Sequence, residues 1–157
     1  MSSQFIRHGA LQLSLPEGWF DASQVVAVGP EDNGFRANLV VSIEPTAPGE
    51  TVQQFAARTL VGVRQSSEAF TLGEERAATF GPHTGVVREC SFNLQGTRLS
   101  QLQFIVVKEL VGYLFIYTQR TEKLAQTRHV AENFFTTAQL DSKTAPPRTD
   151  KGLGTFW

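Results

Sequence analysis

The chain has 157 residues, 14 of them basic and 15 acidic, for a formal net charge of -1, with 41% apolar residues, 18% charged residues and one cysteine. That length suits one domain of the usual ~100 to 150 residues, and the composition is not that of a disordered chain. A near-zero charge argues against a surface built to hold phosphate backbones, and Cys90 alone cannot form an internal disulfide.

Residues 1–8 lack the long apolar core of a secretion signal. No run reaches the ~18 continuous apolar residues of a membrane-spanning helix. The greasiest stretch, residues 102–117, is interrupted by Gln103, Lys108 and Glu109. A cytoplasmic location is the expectation, and a lone thiol is at ease in a reducing compartment.

Leu11-Gln12-Leu13-Ser14-Leu15 alternates with period two and stops at Pro16-Glu17-Gly18, which predicts a strand and a turn. Gln24 to Val28 is β-branched and closed by Gly29-Pro30, a second strand. Glu31-Asp32-Asn33-Gly34 is turn chemistry, and Phe35 to Glu44 completes a hairpin. In that strand Leu39, Val41 and Ile43 share one face, while Asn38, Val40 and Ser42 share the other.

Thr51 with Gln54 makes a weak capping-box pattern. It heads a helix whose apolar stripe is Val52, Phe55, Ala56, Ala57, Leu60 and Val63, ending near residues 65–68. Two short extended pieces follow, residues 70–74 and 77–80, about a charged bend. Gly81-Pro82-His83 then predicts a turn. Gly85 to Leu94, Thr97 to Lys108 and Tyr113 to Gln119 predict three further strands, with turns at Gln95-Gly96 and Leu110-Val111-Gly112. Thr121 suits an N-cap, and a second helix ends before Asp141. The fold class is therefore α+β: an antiparallel sheet built from an N-terminal hairpin, a helix, a β-meander and a C-terminal helix. Residues 1–141 form a single domain, and residues 142–157, rich in Pro, Gly and charge, form a flexible tail.

Catalytic constellations are missing from the pattern. His8, His83 and His129 show no i, i+4 ligand spacing, so no metal site is expected. Cys90 has no nucleophile signature around it and suits a buried inert thiol. No G-x-S-x-G elbow and no phosphate-binding glycine loop stands between a strand and a helix. Arg58, Arg64, Arg76, Arg88 and Arg98 are scattered among acids rather than clustered as in a nucleic-acid footprint. Neither an enzyme nor a cofactor is expected.

What remains is a sheet face on which Gln24, Val26, Val28, Asn38, Val40 and Ser42 mix apolar surface with short polar groups, joined by Gln101 and Gln103 from a later strand. Such a face is either an ordinary solvated side or a concave groove. In a groove, apolar residues would bury a guest and the amides and hydroxyl would satisfy its polar atoms.

The residues Leu15-Pro16-Glu17-Gly18-Trp19-Phe20-Asp21 resemble the P-x-x-W-x-D entry of DcrB-like proteins, which have a PsbP-like fold. Asn38-Leu39-Val40-Val41-Ser42 resembles that family's second hairpin strand. Gly96-x-x-Leu99 followed by Gln101-Leu102-Gln103-Phe104-Ile105 resembles its G-x-x-L and Q-x-Q-x-F strand pair. The similarity spans residues 10–140, and the order of elements agrees. Without a secretion signal or lipid anchor, the chain looks like the cytosolic branch, the Eag (effector-associated) chaperones of bacterial type VI secretion.

The resemblance implies a homodimer whose sheets form a groove for the N-terminal transmembrane helices of a toxic effector, and which helps load that effector on the spike protein. It implies groove positions at Val26, Val28, Asn38, Val40 and Ser42, while Gln24 stands where relatives tend to carry isoleucine. Neither nucleic acid nor direct membrane insertion is expected. The alternatives are a generic protein-binding or assembly module with a PsbP-like fold, and a small-molecule-binding protein or enzyme with a pocket around Glu89, Cys90 and Gln103.

Overall fold

The computed structural model describes residues 4–140. The tail expected after residue 141 lies outside the described residues. Strands β1 (Gln4–His8) and β2 (Leu11–Leu15) pair into a two-stranded sheet of their own. Strands β3 (Val25–Asp32), β4 (Phe35–Pro45), β5 (Glu68–Phe80), β6 (His83–Leu94), β7 (Thr97–Lys108) and β8 (Val111–Arg120) form a six-stranded sheet in the order β3-β4-β8-β7-β6-β5. Every pairing is antiparallel. Helix α1 (Val52–Ser66) carries the chain from β4 to the far edge at β5. The meander then returns strand by strand until β8 closes on β4. Helix α2 (Thr121–Thr137) follows directly. The fold is α+β with an antiparallel sheet, as the sequence predicts.

Alternation along the strands gives each helix one face of the sheet. α2 covers Leu102, Phe104, Tyr113, Phe115 and Tyr117 with its own Leu124, Ala131 and Phe135. At the centre of that layer the rings of Phe80, Phe104 and Phe135 lie 4.9 to 5.4 Å apart. α1 covers the opposite face, setting Phe55 and Ala56 against Val86, Ile105 and Leu114. Its capping box is complete: Thr51 Oγ1 accepts from the Gln54 amide, and Gln54 Oε1 accepts from the Thr51 amide.

Several local expectations are corrected. β1 has no counterpart in the sequence reading. β3 starts at Val25, so Gln24 precedes it, and it continues through Gly29-Pro30 to Asp32 by shifting register between Val28 and Glu31. Residues 68–80 are one edge strand, not two pieces: register shifts fall between Glu68 and Thr71 and between Leu72 and Glu75, and Glu75 and Arg76 then pair in register with Arg88 and Val87. His83 belongs to β6, opposite Phe80. The β7–β8 turn is Glu109-Leu110, with φ of 51° and 67°. That two-residue geometry requires positive φ twice. The same geometry was legible at Asn33-Gly34 and Gln95-Gly96 but is hidden where no glycine marks it. Thr121 does not cap α2. Its hydroxyl lies 2.8 Å from Ser100 Oγ, and the N-cap position falls to Arg120, which supplies no side-chain cap.

Candidate functional site

The register across four strands decides which of the proposed groove residues meet. Val26 lies opposite Val40 and Val28 opposite Asn38. Asn38 lies opposite Thr118, Val40 opposite Ile116 and Ser42 opposite Leu114. Thr118 then faces Gln101, and Ile116 faces Gln103. All these positions share the face that carries α1. Gln24, just outside β3, reaches the same group, with Nε2 3.5 Å from Ser42 Oγ.

They do not share the same access to solvent. On this face α1 packs over β6 and β7. β3, at the sheet edge, keeps Val26 58% and Val28 62% exposed, while Asn38, Val40, Gln101 and Ile116 are half-buried. Ser42 and Gln103 are buried. The result is an open strip, apolar at β3 and polar toward β7. Arg58 anchors α1 beside it. Its guanidinium is 3.0 Å from Glu50 Oε2 and 3.2 Å from Glu44 Oε2, and it lies 4.9 Å from the centroid of Phe55. Burial pushes the Glu44 carboxyl up against the opposing pull of Arg58, while the Arg58 hydrogen bond holds Glu50 down.

A polar line runs from beneath α1 to the strip. The buried Arg88 guanidinium donates to the Ala56 carbonyl, to Thr59 Oγ1 at 3.2 Å and to Gln103 Oε1 at 2.7 Å. Gln103 Nε2 donates to Gln101 Oε1 at 2.7 Å, and Gln101 Nε2 donates to Thr118 Oγ1 at 3.2 Å. Burial lowers the affinity of Arg88 for its proton. It also pushes the adjacent Cys90 thiol up to about 11, which makes the thiol a poor nucleophile.

Arg88, Ile116 and Thr118 are the residues that sequence reading missed. Their signal was strand parity: Arg88 alternates with Val86 and Cys90, and Ile116 and Thr118 alternate with Leu114. The β7–β8 turn had first to be placed at Glu109-Leu110 to fix the pairing.

The pocket around Glu89, Cys90 and Gln103 does not form. Glu89 faces the α2 side, where its carboxylate is 2.8 Å from Arg128, while Cys90 and Gln103 face α1. Among the described residues no group of three or more His, Cys, Asp or Glu side chains is placed to hold a metal ion. No described helix is long and apolar enough to cross a membrane.

The family model for DcrB matches residues 11–137, from the start of β2 to the end of α2. The fold is similar to that of PA94 from Pseudomonas aeruginosa, a protein of unknown function. The TM-score is 0.69 at 16% identity, over 88% of this chain and 97% of that one. It is also similar to cyanobacterial PsbP (CyanoP) from Synechocystis sp. PCC 6803, with a TM-score of 0.50 at 10% identity, over 87% of this chain and 90% of that one. At these identities the likeness is one of fold. No curated protein matches the chain.

Proposed function

The chain belongs to the DcrB family, and we propose that it is a cytoplasmic binding protein without catalysis or cofactor, a chaperone for the N-terminal transmembrane segments of a type VI secretion effector. On this reading it shields those segments before export and aids loading on the spike. The observation that carries the reading is the open strip. Val26 and Val28 stand exposed in a row with half-buried Val40 and Ile116, and Gln101, Asn38 and Thr118 lie alongside them on the same face. Apolar surface left in water costs about 25 cal/mol per Å², so a transmembrane helix held in cytosol gains from covering such a strip. Amides and hydroxyls beside the valines suit the polar backbone that small residues uncover on such helices.

The same reading makes the chain a homodimer. A two-stranded sheet is marginal alone, yet β1 and β2 carry Phe5, Leu11 and Leu13 at 42 to 54% exposure. An arm of that kind is stabilised when a second copy covers it.

Co-expression with the N-terminal segment of a type VI effector tests the proposal. The expected result is a soluble complex that survives purification, with two copies of this chain by mass. A segment that stays insoluble and never co-purifies overturns it.

A further inference from the structure

We infer that Arg88 is a positioning residue that fixes the direction of the Gln103 and Gln101 amides, so that the open strip presents hydrogen-bond donors and takes its guest through backbone carbonyl oxygens. The direction follows link by link. A guanidinium has five donors and no acceptor. Arg88 is 1% exposed, and α1 holds it through the Ala56 carbonyl and Thr59. The atom of Gln103 that meets its Nε at 2.7 Å is therefore the amide oxygen. That leaves the Gln103 nitrogen to face Gln101 at 2.7 Å, so the Gln101 atom in contact is its oxygen. The Gln101 nitrogen then meets Thr118 Oγ1 at 3.2 Å. With its oxygen accepting, Thr118 keeps its own proton to donate, and Asn38 lies directly across the strand pair from it. Turning Gln103 would set its N–H group against the donor-only arginine, and turning Gln101 alone would set its N–H group against that of Gln103.

The line also runs from inside to outside: Arg88 and Gln103 are 1% and 0% exposed, Thr118 is 8% exposed at the floor of the strip, and Gln101 and Asn38 are half-buried beside it. Donors at that end suit a helix whose carbonyl oxygens are uncovered by Gly, Ala or Ser. A guest offering donors there would leave both sides unpaired at a cost. The choice of guest chemistry rests on the reading of the strip as a binding surface, whereas the relay does not.

The test begins on the ¹⁵N-labelled full chain alone, reading the side-chain amide signals of Gln101. In the native protein and in Arg88→Lys, which keeps a donor-only cation, these signals are expected to be dispersed and protected from exchange. In Gln103→Met and Arg88→Gln they move to the position and exchange rate of a solvated glutamine while the backbone spectrum of the sheet persists. Unchanged Gln101 signals in a folded Gln103→Met overturn the relay, and that variant decides the matter if Arg88→Gln does not fold. A Leu-rich helical peptide of about 20 residues with one Gly-x-x-x-Gly then serves as probe. Thr118→Val is expected to weaken its binding about tenfold, the size of one lost hydrogen bond, and equal affinity overturns the donor assignment. A relay confirmed by the amide signals together with a peptide that no form binds overturns the chaperone reading and the carbonyl-guest clause, and leaves the role of Arg88 standing.

Discussion

The ring of Phe55 occupies the space above Gly112, where a Cβ added to the glycine would stand 2.4 Å from the ring. This contact seats the first turns of α1 on the sheet, with Leu114 and Ile105 completing the layer. The glycine that sequence reading assigned to a turn is thus a packing residue inside β8.

Gly112→Ala is expected to lift α1 and destabilise the chain by about 1 to 3 kcal/mol, the usual cost of forcing an extra methyl into a filled site. Urea unfolding gives the number. A change under about 0.5 kcal/mol would mean that Phe55 turns aside freely and is no anchor.

Glu44 and Glu50 share Arg58, but acid should treat them oppositely. The folded-state value of Glu50 is lowered, chiefly by the Arg58 hydrogen bond. Its contribution is therefore present above the ordinary value of 4.5 and lost as pH falls through the lower, folded one. That of Glu44 is raised, chiefly by burial. Its contribution is complete below 4.5 and lost as pH rises through the higher, folded value. Stability measured from pH 7 down to pH ~3.5 should fall less steeply for Glu50→Gln than for the native chain, and more steeply for Glu44→Gln. Parallel curves for all three would remove the carboxylates from the acid response.

Cys90 is 1% exposed and its thiol is pushed up to about 11. A disulfide reagent such as DTNB at pH ~8 should label the native chain only as fast as it opens, and the unfolded chain at once. Because the folded value exceeds the ordinary 9.0, the thiol's contribution to stability is complete below 9.0 and drains away as pH rises toward 11. Labelling of native protein within the mixing time would place the thiol at the surface.

The sheet was legible wherever side chains alternate against an apolar core, as in β4, where the split between Leu39, Val41 and Ile43 and their neighbours holds in the structure. Turns were legible at Asn33-Gly34 and Gln95-Gly96, whose residues tolerate positive φ, but not at Glu109-Leu110, where two ordinary residues are held in it by the pairing on either side. β5 was misread because an edge strand tolerates charges and bulges that a central strand does not. For the open strip, sequence supplied the β3, β4 and β7 positions and their shared face, but not Ile116 and Thr118 between them. It could not supply their exposure, which depends on where α1 crosses, nor could it show that Arg88 lies buried under α1 rather than in solvent.

Strand parity offers the sharpest test of the strip itself. Val25, Val26 and Val28 are 58 to 62% exposed on the same edge strand, so glutamate at any of them should alter stability by no more than about 0.5 kcal/mol. Val26 and Val28 face the strip, whereas Val25 pairs with Val41 and faces the α2 side. Covering a valine is worth roughly 1.5 kcal/mol or more. Val26→Glu and Val28→Glu should therefore each weaken capture of an apolar helical segment by about tenfold or more, and Val25→Glu should leave it unchanged. Affinity of the purified variants for one such peptide decides the matter. Equal losses at all three positions would assign the effect to the β3 edge, and no loss at any would move the binding surface off this side of the sheet.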